Sequence, residues 1–439
     1  MVLISRILLL VLLFFLNACF LQSQNQDVVS WLASKSKPFN SVYDLDELIA
    51  SASDRKLVLM GEASHGTHEY YHWRGEMTRQ LITDHGFDFI VVEGDWASIY
   101  RLNKYVKDLP GAHVSAYDVL KSFDRWPQWM WANKDILELA EWLRSYNDAL
   151  PSDEKVGIYG MDVYGQWQAM DDLMDFVNTN MPEDARVIEN YLNCFSGYGD
   201  NEWNYARAVA QGAAACDDML QRVVEIVESY NNDLSTAHKA HFRARQNALV
   251  VKNAEDFYRL AVTSSVDSWN SRVNHFWLTV HRLLSFHGVD SKGIVWAHNT
   301  HVGDARATTM AAQNQQNIGQ LSRTDLGGDQ VFIIGFGTKK GTVNAGSEWE
   351  SRMQIMKIPE AMEGSLDNYL GRVKYDQFYL LFNEADRTNP FMQTPLGHRA
   401  IGVVYNPRQE QGNYVPTLPA HRYDALIFFQ ETKALELVK

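Results

Sequence analysis

The 439-residue sequence is poor in cysteine and in basic residues, and it contains only one long apolar run. Its three cysteines are too few for a disulfide framework and do not have the spacing of a zinc ribbon. Cys194 and Cys216 could pair or could remain two buried thiols, and we expect thiols. With 54 acidic residues against 40 basic ones, the formal net charge is −14, which argues against nucleic acid as a partner.

Two common catalytic signatures are also missing. No G-x-S-x-G elbow occurs, so a serine esterase of the α/β-hydrolase type is not predicted. Ser64 adjoins His65, but neighbouring side chains on an extended loop point apart, which makes Ser64 a poor nucleophile for that histidine. No glycine-rich phosphate loop precedes a helix, so nucleotide binding has no support.

The long apolar run lies near the N-terminus. Ile7–Leu16 is too short for a comfortable membrane span, so residues 1–19 are predicted to be a targeting segment. The ending Leu16-Asn17-Ala18-Cys19 resembles a bacterial lipoprotein signal, in which a lipid on Cys19 is the only membrane contact. An ordinary cleaved secretory signal is the second alternative, and an uncleaved anchor is the third. Each of these three alternatives places the folded part of the chain in the cell envelope, on the periplasmic side. Residues 20–39 would be a tether between the signal segment and the fold.

Short apolar runs that stop at polar residues alternate with segments of helical spacing. Helical spacing is seen from Glu69 to His85, and from about 106 to 155 and 165 to 288, with single long helices expected at 206–230 and 237–262. The predicted strands are Leu57–Met60, 87–92, 156–162, 293–297, 331–336, 375–382, 400–405 and 425–429.

Strands joined by helical crossovers imply a largely parallel sheet. We therefore expect an α/β fold with a largely parallel central sheet and flanking helices. The chain from 40 to 439 would form a single domain, and a large helical-bundle insertion at about 106–288 would lie over one side of the sheet.

Residues suited to acid–base chemistry follow several of these strands. They are Glu62, His65, Glu93, His298 and His301, with Asp162 as a possible sixth. Open α/β sheets bind their ligands at the carboxyl ends of the strands, so we expect these residues to converge there. A histidine at a strand end is often structural. Four strand ends that carry acid–base residues at the same edge of the sheet nevertheless favour a functional site.

The chemistry that this set favours is activation of water. A carboxylate on one ring nitrogen of a histidine fixes the tautomer and raises the basicity of the other nitrogen. Water held beside His65 could attack an ester carbonyl, while a second histidine donates to the oxyanion or protonates the leaving alcohol. Arg74, on the helix after the loop, is placed to reach back with a positive charge.

A competing motif overlaps this stretch. His68-Glu69-Tyr70-Tyr71-His72 fits H-E-x-x-H, the zinc-protease pattern, in which both histidines share one helix face. No third histidine follows at the spacing of the extended motif. Five-residue patterns arise by chance, so the alternative is that His72 and Glu69 are ordinary helix residues.

Several blocks together resemble the erythromycin esterase family. The likeness runs from about 40 to 432 and is most specific at 61–96 and 296–303. The blocks are Gly61-Glu62-x-Ser64-His65-Gly66 with Glu69, Arg74, Gly86-Phe87 and Glu93; His298-Asn299-Thr300-His301; 317–321; 331–335 with Gly341; and Tyr423-Asp424-Ala425.

The resemblance implies a hydrolase that opens the lactone ring of macrolide antibiotics without an acyl-enzyme serine. The family's proposed base matches His65, and its other functional positions match Glu62, Arg74, Glu93, His298 and His301. An α/β core with a helical insertion is also implied. We expect no cofactor, although two glutamates and three histidines could hold a divalent metal such as zinc or manganese.

The sequence does not fix the substrate. A macrolide ester, another ester of the envelope, a peptide cut by a zinc site and a non-enzymatic binding role all remain open. The insertion would form one wall of the cleft, and its tryptophans could line an apolar pocket or belong to the helical core. These tryptophans are Trp126, Trp129, Trp131 and Trp167.

Overall fold

A computed structural model describes residues 27–199, 201–230 and 235–438. The predicted signal segment, with Cys19, lies outside these residues, as does the first part of the expected tether. Most of the tether prediction is wrong, because residues 27–35 are helical and Lys37–Pro38 pairs with a strand of the sheet. Leu32 and Phe39 are buried in the core, which makes this segment part of the fold.

Strands and helices alternate along most of the described chain. The strands are β1 (Lys37–Pro38), β2 (Leu57–Met60), β3 (Phe89–Asp95), β4 (Gly157–Asp162), β5 (Gly293–Trp296), β6 (Val331–Ala345), β7 (Gln354–Ile358), β8 (Gln377–Leu381), β9 (Leu396–Arg399), β10 (Tyr414–Thr417) and β11 (Ala425–Thr432).

The helices account for the remaining regular structure of the described residues. They are α1 (27–35), α2 (Asp46–Ser53), α3 (His68–His85), α4 (Trp96–Val106), α5 (Ala116–Lys121), α6 (Lys134–Asp148), α7 (Gln166–Asn180), α8 (Pro182–Leu192), α9 (Glu202–Ala210), α10 (Asp217–Ser229), α11 (Ser235–Ala261), α12 (Ser265–His287), α13 (Asn299–Val302), α14 (Thr309–Ala312), α15 (Ile318–Leu326), α16 (Leu366–Leu370), α17 (Glu384–Arg387) and α18 (Pro419–Arg422). None of them combines the length and apolarity needed to cross a membrane.

Nine strands form one central sheet in the order β1-β8-β11-β6-β2-β5-β3-β4, with β7 paired to β6. The strands from β11 to β4 are parallel, whereas β1, β7 and β8 are antiparallel to their neighbours. The predicted α/β class with a largely parallel sheet is therefore confirmed.

The register of three central strands explains how distant residues meet. Met60 of β2 and Val92 of β3 both pair with Trp296 of β5, so these strands end in one row. Glu62, Glu93 and His298 follow that row by one or two residues. Because parallel strands share their carboxyl edge, the three side chains come to the same edge of the sheet.

The two long helical segments cover opposite faces of the sheet, so the expectation of one bundle on one side is wrong. Alternate strand residues point to opposite faces. Val58 and Met60 belong to a core formed with helices α2–α6, whereas Leu57 and Leu59 pack in the core shared with α7–α12. β4 lies between the two segments along the chain, which lets them leave the sheet edge on different sides.

Two element boundaries differ from the sequence prediction. The helix expected at 206–230 is divided into α9 and α10, because the chain turns between them and Gly212 adopts a φ of 103° that side-chain-bearing residues rarely reach. The strand expected at 400–405 is instead β9, which ends at Arg399, and the following residues make only isolated bridges.

Cys194 and Cys216 are joined by a disulfide, so the expectation of two buried thiols is wrong. Their Cα atoms are 5.7 Å apart, within the usual range for such a bridge. Spacing along the sequence could not show this, because the turn after α8 returns the chain to the start of α10. The bridge fixes the two ends of a 22-residue span in the helical region.

Candidate active site

A cavity of about 370 Å³ opens at the carboxyl edge of the parallel strands. Its wall includes His65, Glu93, His298 and His301, together with Asp162, the possible further strand-end carboxylate. Glu62 and Arg74 are not part of the wall and are almost fully buried. The predicted residues therefore come together in two layers, one facing the cavity and one behind it.

Glu62 connects His65 to Arg74. The His65 Nδ1–H donates to Glu62 Oε1 at 2.8 Å, and the Arg74 Nη2 donates to Glu62 Oε2 at 2.7 Å. Arg74 is held in turn between the faces of Tyr71 and Trp296, with its guanidinium carbon 4.4 and 4.7 Å from the ring centroids. Because a carboxylate can only accept hydrogen bonds, this chain leaves the His65 Nε2 as the basic nitrogen.

The environment of His65 favours its protonated form. Burial disfavours charge on the imidazole, but the negative charge of Glu93 and the hydrogen bond to Glu62 outweigh burial and raise the pKa of His65 above 6.5. An imidazole of this kind is a stronger base than a free histidine.

Glu93 lies where the register between β3 and β4 is interrupted. Such irregularities turn a side chain away from the regular pleat. Its Oε2 accepts from the backbone N–H of His298 at 2.9 Å, and its Oε1 accepts from Arg272 Nη2 at 3.0 Å. Burial alone would raise the pKa of Glu93, but cationic neighbours and the His298 amide lower that pKa well below its ordinary value.

His298 lies 4.9 Å from His65, measured between ring centroids. The Thr300 N–H donates to His298 Nδ1 at 3.3 Å, which leaves the proton of the neutral ring on Nε2. This Nε2–H has no hydrogen bond of normal geometry within the described residues. The Ala63 carbonyl, which accepts from the Ile401 N–H, also lies close enough to raise the pKa of His298.

The net effect on His298 is opposite to that on His65. Burial and the positive charge of His65 lower the pKa of His298 well below 6.5, so His298 is neutral at pH 7. A neutral imidazole with its proton on Nε2 is a hydrogen-bond donor at that nitrogen. The two rings of the cavity are therefore one base and one donor.

His301 is held further along the wall. Its ring is stacked on Trp269, with a centroid distance of 4.4 Å and an interplanar angle of 8°. Arg272 Nη1 donates to His301 Nε2 at 3.2 Å, and Glu93 Oε1 lies 3.3 Å from the same nitrogen. Burial is the main reason that the pKa of His301 falls to about 4, so this histidine is neutral at pH 7.

The arrangement of these donors does not fit a divalent metal ion. Within the described chain, the cluster of carboxylates and histidines close enough to share an ion is Asp217, Glu255 and Asp256, which is not part of the cavity. In the cavity itself, Arg272 occupies an oxygen of Glu93. Cations placed against the carboxylate would compete with a metal for the same oxygen atoms.

The sequence profile of the family described as Erythromycin esterase matches residues 82–432. The chain belongs to the erythromycin esterase family. Membership supports ester hydrolysis as the class of reaction and a small molecule as the class of substrate.

Three solved structures show the same fold as this esterase-family chain. A succinoglycan biosynthesis protein has a TM-score of 0.77 and 18% identity, over 95% of this chain and 99% of its own. A Bacillus cereus protein has a TM-score of 0.76 and 18% identity, over 94% and 99%. A mutant of the erythromycin esterase EreC, in its open conformation, has a TM-score of 0.65 and 15% identity, over 91% and 95%.

The zinc-protease motif of this esterase-family chain lies outside the cavity. His68 Nδ1 is hydrogen-bonded to Asp135 at 2.9 Å, and the Glu69 carboxylate accepts from the Lys433 amide at 2.8 Å. His72 packs edge-on against Trp73. These contacts give the motif a structural explanation and favour its interpretation as ordinary helix residues.

Sequence reasoning missed three charged residues of the wall, Arg272, Arg125 and Asp95. Arg272 belongs to α12, where helical spacing gives no sign that it contacts a strand end. Arg125 pairs with Asp95, which follows Glu93 by two residues and could have been noticed as a further strand-end carboxylate.

The aromatic wall also differs from expectation. Of the four tryptophans named from the sequence, Trp131 is the one among the lining residues, and its indole N–H donates to the Glu93 carbonyl at 3.2 Å. Trp269 and Trp349 add the other indoles of the wall. Trp129, two residues before Trp131, is buried in the core instead. Spacing along the sequence therefore could not separate residues that line the cavity from residues that pack in the core.

Proposed function

We propose that this protein hydrolyses a carboxylic ester, the lactone of a macrolide antibiotic, with water activated by His65. The observation that carries the proposal is the pairing of a basic His65 with a neutral His298, 4.9 Å away in one cavity. Family membership supplies the class of reaction.

In the proposed reaction, His65 Nε2 takes a proton from water as the water oxygen bonds to the ester carbonyl carbon. The resulting oxyanion accepts a hydrogen bond from His298 Nε2–H. Collapse of this intermediate breaks the bond to the alcohol oxygen, which takes the proton back from His65. The products are one carboxylic acid and one alcohol, so a lactone gains the mass of one water.

Glu62 holds His65 in the required tautomer, and Arg74 holds Glu62. Glu93 would fix the backbone of His298 and favour the imidazolium that forms on His65. His301 would support Glu93 rather than contact the substrate. No step in this scheme uses a metal or another cofactor.

The test is incubation of the purified protein with 14- and 16-membered macrolides, followed by mass spectrometry for a gain of one water. His65→Asn should abolish the gain, whereas His72→Asn, the same substitution outside the cavity, should leave it intact. Zinc-dependent peptide cleavage that is lost in His72→Asn and retained in His65→Asn would instead support a zinc peptidase. An inert protein would support a binding role.

A second candidate is an ester of an envelope polysaccharide. It is favoured by the structural likeness, at a TM-score of 0.77, to a succinoglycan biosynthesis protein. Turnover of acetylated oligosaccharides but not of macrolides, with the same dependence on His65, would support the same mechanism acting on a polysaccharide ester.

We also propose that the protein acts in the cell envelope, on the periplasmic side, lipid-anchored at Cys19 or secreted. Disulfides persist in oxidising compartments, so the Cys194–Cys216 bridge agrees with this location. The location would let a resistance enzyme intercept an antibiotic before it enters the cytoplasm.

A further inference from the structure

Arg272 reaches the site from the helical region rather than from a strand end. Its Nε and Nη2 donate to the two oxygens of Asp162 at 2.9 and 2.6 Å. The Nη2 also donates to Glu93 at 3.0 Å, and Nη1 donates to His301 at 3.2 Å. One guanidinium therefore joins the ends of β3 and β4 to the short helix after β5.

Two aromatic rings pack against the guanidinium of Arg272. Its central carbon lies 5.1 Å from the Tyr164 centroid and 4.7 Å from that of Phe276. The opposite partner of Tyr164 is Arg125, at 4.7 Å, which is paired with Asp95. A planar fork held in this way keeps its hydrogen bonds in one geometry, which a lysine ammonium cannot reproduce.

Arg272 also sets the balance of charge beside His65. The charged and titratable groups that act on His65 are Glu93, Glu62, Arg272, His298 and His301. Those that act on Arg272 are Asp162, Glu93, His301, Tyr164 and His275. Of these, Asp162 and Glu93 are anionic, so Arg272 neutralises one of the two charges.

We propose that Arg272, backed by Asp162, is a positioning residue of the hydrolytic site. It holds the Glu93 carboxylate against the His298 backbone, keeps His301 as a hydrogen-bond acceptor, and limits the negative charge that faces His65. This inference rests on the proposed function, because it assigns Arg272 a part in the activation of water by His65.

Substitutions of Arg272 and of Asp162 should move the acid limb of the pH profile of kcat/KM in opposite directions. Arg272→Gln removes a cation, so the pKa of His65 should rise and the limb should move to higher pH by about one unit. Asp162→Asn removes an anion and leaves the charge of Arg272 less compensated, so the limb should move to lower pH. Both variants should lose about tenfold or more in kcat/KM at the plateau, because Glu93 is displaced.

The assay uses the full chain with erythromycin and p-nitrophenyl acetate as probes. Arg272→Lys keeps the charge and should leave the limb near its wild-type position, while losing the fork. Arg282→Gln is the matched control, since Arg282 is on the same helix but bonds to Gln246 outside the cavity. It should change stability without moving the limb.

A readout without turnover is the imidazole ¹⁵N titration of His301. Its pKa should rise in Arg272→Gln, because Glu93 would remain beside it without a competing cation. If the wild-type protein turns over neither probe, the proposed function fails. If it turns them over and both Arg272→Gln and Asp162→Asn leave the limb and the His301 titration unchanged, the role of Arg272 is overturned. Should Arg272→Gln not fold, Asp162→Asn decides by the same two readouts, because loss of this anion should lower both the acid limb and the pKa of His301.

Discussion

At the scale of single residues, hydrogen-bond partners give two neighbouring imidazoles opposite properties. His65 donates from Nδ1 to a carboxylate, whereas His298 accepts at Nδ1 from a backbone amide. The first ring therefore presents a basic Nε2 and the second an Nε2–H. Both rings line the same cavity, so a substrate can meet a base and a donor together.

We predict that His298→Ala lowers kcat by about 10²- to 10³-fold, because the oxyanion loses its donor. His298→Gln should recover part of this loss, since the glutamine amide can place an N–H near the former Nε2. Steady-state kinetics of both variants measure the effect. Equal activity of His298→Ala and wild type would exclude the donor role.

We predict that kcat/KM falls on the acid side of a midpoint above 6.5, because a protonated His65 cannot take a proton from water. Its pKa is raised by Glu93 and by the hydrogen bond to Glu62, against the effect of burial. Glu62→Gln keeps an acceptor for Nδ1–H but removes a charge, so the midpoint should move down. The pH–rate profiles of the two proteins provide the measurement, and an unchanged midpoint would contradict the assignment.

At the scale of elements, the sheet supplies the base and the helical region supplies the opposite wall. α12 contributes Trp269, which stacks on His301, and Arg272, which bridges three elements. Outside the cavity, the disulfide constrains the helices that follow α8. Stability and chemistry are thus carried by different parts of the same helical segment.

We predict that the double substitution Cys194→Ser, Cys216→Ser lowers the free energy of unfolding by about 3 kcal/mol, the effect expected for a closed loop of this length. Because neither residue lines the cavity, kcat should be unchanged. Denaturant unfolding with and without reductant gives the comparison. Reductant should lower the free energy of unfolding of the wild-type protein and leave that of the double variant unchanged.

At the scale of the whole molecule, the net charge of −14 argues against nucleic acid as a partner. The described residues begin at position 27, already within a helix that packs on the core. The lipid proposed at Cys19 would therefore lie within a few residues of the folded body.

We predict that Cys19→Ser moves the protein from the membrane fraction to the soluble envelope fraction. The reason is that a thioether-linked lipid would be its membrane contact, and serine cannot carry it. Fractionation with intact-mass measurement is the assay. Wild-type protein that is soluble and has the mass of a cleaved, unlipidated chain would favour the ordinary secretory signal.

Much of the fold was predictable from local patterns. Leu57–Met60 was located to the residue, because an apolar run that stops at a glycine has few other interpretations. The division of 206–230 into α9 and α10 was not predictable in this way, since apolar spacing continues across the turn at Gly212. The disulfide was missed because pairing depends on where two distant turns meet.

The sequence by itself determined the class of fold, the family, and the residues that follow the strands, because these are properties of local pattern and of motif. Tertiary structure alone decided which groups face the cavity. Arg272 lies on an ordinary helix and contacts Glu93 across 179 positions. Its role depends on the approach of α12 to the sheet edge, and no local pattern encodes a contact between elements so far apart along the chain.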